Sequence, residues 1–140
     1  MPKCLWAAVV VAAVLVAGCG GNASKNQAKQ AEKVAVEFYR NWYLDGDIGR
    51  AWDLGAPGFW THTDRDEFVA YKTRQRADIN LKLLPVDTEL RVQAFDRAGD
   101  YLFLIADRQE RHLIWVTKVS DGSWKVRRVL DYREGMDIPW

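Results

Sequence analysis

An α+β fold, helices first and an antiparallel sheet after them, is what this sequence predicts. Three observations carry that expectation. Apolar residues recur at helical spacing through the first half of the chain, the period changes to two after Pro85, and Asp121-Gly122 marks a tight hairpin between the last two apolar runs. Helices packed on an antiparallel sheet of about four strands follow from this order.

The chain opens with Met1-Pro2-Lys3, a short segment with one positive charge, followed by an apolar run over residues 5–17 that ends in Gly18-Cys19. The run is shorter than the roughly 20 apolar residues a spanning helix requires, and it fits a secretory signal. Residues 1–18 are therefore read as a signal peptide. Gly, Asn, Ala, Ser, Lys and Gln then dominate residues 20–30, the composition of a flexible tether over residues 19–30.

The folded domain is expected over residues 31–140. Val34, Phe38 and Trp42 with Ala35, Tyr39 and Tyr43 place a broad aromatic stripe on one side of a helix over residues 30–44. Asp45-Gly46-Asp47 ends it, with Gly46 suited to a left-handed cap and Asp47 to N-capping a short second helix over residues 48–54. Gly55-Ala56-Pro57-Gly58 is a stop. Asp64 and Glu67 have the spacing of a capping box for a third helix over residues 65–76.

Beyond Pro85, Leu90, Val92 and Ala94 alternate with Arg91, Gln93 and Phe95, and Ala98-Gly99-Asp100 supplies a turn. Residues 101–106 form a nearly continuous apolar run, as in a strand covered on both faces. Residues 112–119 predict the third strand. Trp124, Val126 and Leu130 mark the fourth, and strict alternation places Arg128 on their face with Arg127 and Val129 opposite.

Composition bounds the function. About 120 residues remain after the signal, enough for one core. The formal charge of the whole chain is +1, both signs are interspersed, and no basic stripe of the kind a nucleic-acid binder presents is visible. Arg127-Arg128 and Arg74-Gln75-Arg76 read as solvated faces. Of the two cysteines, Cys4 falls in the signal. Six of the seven tryptophans lie in the mature part, and a small disulfide-free domain uses such rings first to fill its core.

Val16-Ala17-Gly18-Cys19 resembles the lipobox of bacterial lipoproteins. The resemblance implies cleavage before Cys19 and attachment of diacylglycerol and further acyl chains such as palmitate to that residue, which would leave no free thiol for a disulfide. It places the mature protein in the cell envelope, lipid-anchored to a membrane. Gly20 stands where an inner-membrane retention aspartate would be, which implies the outer membrane in a Gram-negative host.

The segments Ala35-Val36-Glu37-Phe38-Tyr39, Leu44-Asp45-Gly46-Asp47 and Ala51-Trp52-Asp53-Leu54 resemble the opening of nuclear transport factor 2-like domains. That resemblance covers most of residues 31–132 and implies a cone in which the helices lie in the concavity of a curved sheet. The fold hosts isomerases, dehydratases and cyclases as well as non-catalytic binding domains, so activity rests on the site.

His62, His112, Asp64 and Asp66 are the groups from which a lyase, isomerase or cyclase would be assembled. Each also has a structural role: His62 sits in a polar loop, Asp64 and Asp66 at a helix start, and His112 beside a turn. Two histidines fifty residues apart with no cysteine cluster give no zinc ligand set, and no cofactor motif is present. Tyr39, Trp42, Trp60 and Trp115 are the candidate lining of an apolar ligand pocket, with Arg128 placed to receive a ligand carboxylate.

The expected function is that of a non-enzymatic binding or interaction domain held at a membrane. Its partner would be a small ligand, an envelope protein or a second copy in a homodimer. An enzyme of the same fold and a structural accessory subunit of an envelope assembly are the alternatives.

Overall fold

The computed structural model describes residues 20–78, 88–97 and 100–138. Residues 1–18, read above as a signal peptide, Cys19, the expected turn at Ala98-Gly99 and Trp140 lie outside them. Three helices come first, α1 (Gly20–Tyr39), α2 (Ile48–Leu54) and α3 (Arg65–Asp78), and four strands follow, β1 (Arg91–Arg97), β2 (Asp100–Ala106), β3 (Arg111–Lys118) and β4 (Trp124–Asp131). The sheet is an antiparallel meander in the order β1-β2-β3-β4, so the α+β expectation holds.

The first helix departs from the expected bounds at both ends. The segment read as a flexible tether is the first half of α1. Ala, Lys and Gln are strong helix formers, and extending a helix already nucleated by the packed aromatic stripe adds one hydrogen bond per residue fixed. At the other end α1 widens into a π-helical turn over Arg40–Asp45 before Gly46 stops it at φ 71°. There the Asn41 side-chain amide donates to the Glu37 carbonyl at 2.8 Å, holding the transition between the two kinds of turn.

The other local signals behave as their chemistry requires. The Asp47 carboxylate accepts from the Arg50 amide at 3.0 Å to cap α2, and Asp64 accepts from the Glu67 amide at 2.9 Å to cap α3. Arg65 then reaches back from α3 to Asp53 on α2 with two hydrogen bonds of 2.8 and 2.9 Å. After α2 the chain touches the sheet: Gly55 bridges to Val126, and the Ala56 amide donates to the Val126 carbonyl at 2.7 Å.

The sheet separates two apolar layers. On its inner face Phe103, Ile105, Ile114, Val116 and Val126 pack against Ala31, Ala35, Phe38 and Tyr39 of α1. On its outer face Leu102, Leu113 and Trp115 are buried with Phe95, Leu130, Tyr132 and Ile138 around them. β2 therefore has apolar neighbours on both sides, as its unbroken apolar run requires.

One strand does not keep its alternation. Trp115 pairs with Arg128 while the next residue, Val116, pairs with Val126, so Arg127 is an extra residue in a β-bulge. The bulge reverses the parity of β4 half-way along. Trp124 and Val126 face the helices, and beyond the bulge Val129 does, while Leu130 joins the outer layer.

Candidate functional site

The end of α1 and the π turn after it present two flanks with different chemistry. Phe38 and Trp42 lie on one, Tyr39 and Tyr43 on the other, because residues four apart stack on successive turns. Ring centroids are 6.3 Å apart in the first pair and 4.7 Å in the second.

The Phe38–Trp42 flank enters a cluster of aromatic rings drawn from every helix. Trp60 lies 5.1 Å from Trp42, 5.0 Å from Phe68 and 5.4 Å from Trp52, on which it stacks at 5°. Its indole N–H donates to the Trp52 carbonyl at 3.0 Å. Gly55 makes that approach possible, since a Cβ there would stand 2.5 Å from the Trp60 Nε1 atom. His62 continues the cluster outward, 4.9 Å from Phe68.

Two surface grooves meet at His62. One of about 400 Å³ runs along α3 past Thr63, Asp64, Phe68, Tyr71 and Arg74. The other, of about 340 Å³, passes Trp52, Trp60, the Gly55-to-Gly58 turn, Asp121 and Lys125. Both combine aromatic walls with charged groups of either sign, and Tyr71 at 45 % exposure offers an open ring to whatever lies there.

The Tyr39–Tyr43 flank meets a polar corner at the end of the sheet. The buried Tyr39 hydroxyl donates to Asp107 Oδ2 at 2.8 Å. Asp107 also accepts the Gln109 and Glu110 amides, at 2.7 and 2.8 Å, closing the turn between β2 and β3. Burial pushes the Tyr39 hydroxyl far above its ordinary range, and the hydrogen bond to the Asp107 carboxylate adds to it. Burial also opposes ionisation of Asp107, but the two backbone N–H groups and the tyrosine outweigh it and hold the carboxyl below its ordinary value.

His112 fills the rest of the corner, 3 % exposed, with its ring stacked on Tyr43 at 4.0 Å and 5.5 Å from Tyr39. Its Nε2 is 3.1 Å from Glu110 Oε2 and its Nδ1 is 2.9 Å from Asp131 Oδ1. The second contact is a close approach and not a hydrogen bond, since the buried Nδ1 has no hydrogen-bond partner among the described residues. An open cavity of about 450 Å³ lies against this side, walled by Arg111, Tyr132, Arg133 and Glu134 as well as the histidine and its carboxylates.

The structure divides the expected pocket residues among three places. Trp42 and Trp60 share the aromatic cluster, Tyr39 is committed to Asp107, and Trp115 lies on the far face of the sheet. The expected apolar pocket over all four does not form. Arg128 is corrected as well: the bulge turns it from the Trp124–Val126 face to the outer one, where its guanidinium sits 5.1 Å over the Trp115 ring.

Of the histidines, His62 is exposed as a polar-loop residue should be, whereas His112 is a buried residue and not a surface one. Asp64 caps α3, and the 95 % exposed Asp66 makes a loose 3.5 Å ion pair with Arg65. The partners of His112 and Tyr39 were not singled out by sequence. A weak signal existed in Asp107-x-x-Glu110, the spacing of an aspartate that accepts backbone amides in its own turn. Among the described residues no three His, Cys, Asp or Glu side chains converge on a point where a metal ion would sit. No protein-family model matches the chain, and no curated protein matches it in sequence.

Proposed function

We propose that this chain is a lipid-anchored envelope protein whose nuclear transport factor 2-like domain acts as a non-enzymatic binding module, with the paired grooves around His62 as its binding surface. The observation that carries the binding surface is that two grooves share one residue, His62, and are backed by the ring cluster of Trp52, Trp60 and Phe68. Aromatic walls provide apolar contact at low entropic cost, and the flanking Asp64, Arg74, Asp121 and Lys125 provide orientation. Together they suit an elongated polar ligand or a peptide segment of a partner protein.

The anchor reading rests on the lipobox resemblance at Val16-Ala17-Gly18-Cys19. With Cys19 acylated, α1 starts at the very next residue, and its first eleven residues would form a stem about 16 Å long instead of a loose tether. The helix-first order, with α1 lying on one face of a four-stranded meander, supports the nuclear transport factor 2-like reading.

A second reading has its own observation. The His112 imidazole, buried between Glu110 and Asp131 at the wall of a 450 Å³ cavity, has the composition of a proton-transfer site for a lyase or isomerase. Amide and ring NMR shifts during titration with sets of short oligosaccharides and peptides separate the two. Shifts confined to Trp52, Trp60, His62, Phe68 and Tyr71 support the binding module. Shifts confined to His112, Tyr132 and Arg133 would transfer the function to the polar corner. Mass spectrometry of protein from native membranes tests the anchor independently: a mature N-terminus at Cys19 with added acyl mass is expected, and an unmodified full-length chain overturns it.

A further inference from the structure

We infer that the lysine row along α1 is a contact surface for anionic phospholipid headgroups in the leaflet that carries the anchor. Lys25, Lys29 and Lys33 recur at every fourth residue of α1, and all three are exposed. Four residues advance the helix by about 6 Å and turn it by a little more than one full circle, so the ammonium groups form a row about 12 Å long on one flank. The direction of that row is set by the fold: Ala31, Ala35 and Phe38 hold the other side of α1 on the sheet, which leaves the lysines facing outward.

Position and charge point to the same partner. α1 begins directly after the residue read as the lipid attachment site, and Lys25 lies within two turns of it, with Lys29 and Lys33 on the next two turns. No carboxylate occurs between Gly20 and Ala31; Glu32 is the first, and the next, Glu37, is ion-paired with Arg50. At physiological salt charges interact over about 8 Å, and Lys25 stands about 9 Å along the helix from residue 19, so it is the first drawn to the surface, and tilting α1 brings Lys29 and Lys33 within the same range. Each lysine at an anionic surface is worth about fivefold in local partitioning, which for three would hold α1 down along the membrane instead of upright on its anchor.

This inference rests on the anchored reading, and its test separates the two. The mature protein, purified from native membranes with its modification, is reconstituted into vesicles of phosphatidylcholine alone or phosphatidylcholine mixed with phosphatidylglycerol, and amide hydrogen exchange is followed over residues 20–33. Exchange several-fold slower on the anionic vesicles is expected. The difference should vanish in concentrated salt and in a Lys25→Gln/Lys29→Gln/Lys33→Gln variant, with exchange in the sheet unchanged. Equal rates on both vesicles, or slowing that survives the triple substitution, would overturn the contact surface. The intact mass of the same preparation reports acylation at Cys19 separately, so loss of the anchor reading and loss of the lysine contact give different results.

Discussion

Two flanks of one helix end, one residue apart in sequence, are held in opposite ways. Phe38 and Trp42 enter a cluster of rings whose attraction has little direction and does not depend on proton concentration. Tyr39 and Tyr43 enter a polar corner, where the Tyr39 hydroxyl donates to the Asp107 carboxylate and the Tyr43 ring stacks on His112. The first flank gains by filling volume, the second by satisfying buried polar groups. Substitutions on the two should therefore differ in pH dependence as well as in size.

The largest effect is expected from Phe38→Ala. It removes a ring 1 % exposed that touches Trp42, Phe59 and Trp60, and it should cost about 3–5 kcal/mol in urea unfolding. That loss should be the same in neutral and mildly acidic buffer. A strong pH dependence would break the comparison.

Tyr39→Phe keeps the ring and removes only the hydroxyl, so about 1–3 kcal/mol is expected at neutral pH. Here the pH profile is the sharper test. The Asp107 carboxyl is held below its ordinary value, so its contribution is present above the unfolded carboxyl range and is lost as pH falls through the folded value. Stability of wild type and variant should converge below about pH 4. The Tyr39 hydroxyl is raised, so its contribution is present below the unfolded phenol range and fades above about pH 10, where the variant again approaches wild type. Parallel profiles at both ends would mean that the hydroxyl acts by packing alone.

Asp47→Ala tests what positions the ring cluster. It removes the N-cap of α2, which carries Trp52, and should cost about 1 kcal/mol with a matching change in tryptophan fluorescence. The smallest effect should come from Arg128→Ala, which belongs to neither flank. Its guanidinium is exposed over Trp115 on the far face, worth about 0.5–1 kcal/mol. A larger loss, or any change in the Tyr39 pH profile, would mean that the two faces of the sheet are coupled.

Much of the fold was legible because its signals are local. The Gly46 stop, the Asp47 and Asp64 caps and the Asp121-Gly122 hairpin each act within a few residues, and the bounds of α2 follow from them directly. The candidate site was legible only in part. Trp42 and Trp60 were singled out and do meet, but Trp115 was grouped with them by residue type alone, and only strand parity decides its face.

What the sequence alone determined is the order of helices and strands and the caps and turns between them. These depend on backbone preferences and on short patterns that the chain carries wherever it folds. Tertiary structure alone decided the rest. The bulge at Arg127 exists only in the register of β4 on β3, and that single extra residue moved Arg128 to the outer face. Burial of His112 required β3 to bring it under Tyr43, and the partner of Tyr39 lies 68 residues away in sequence. Pairings at that distance leave no local pattern, because they are selected by the geometry of the closed core and not by neighbouring residues.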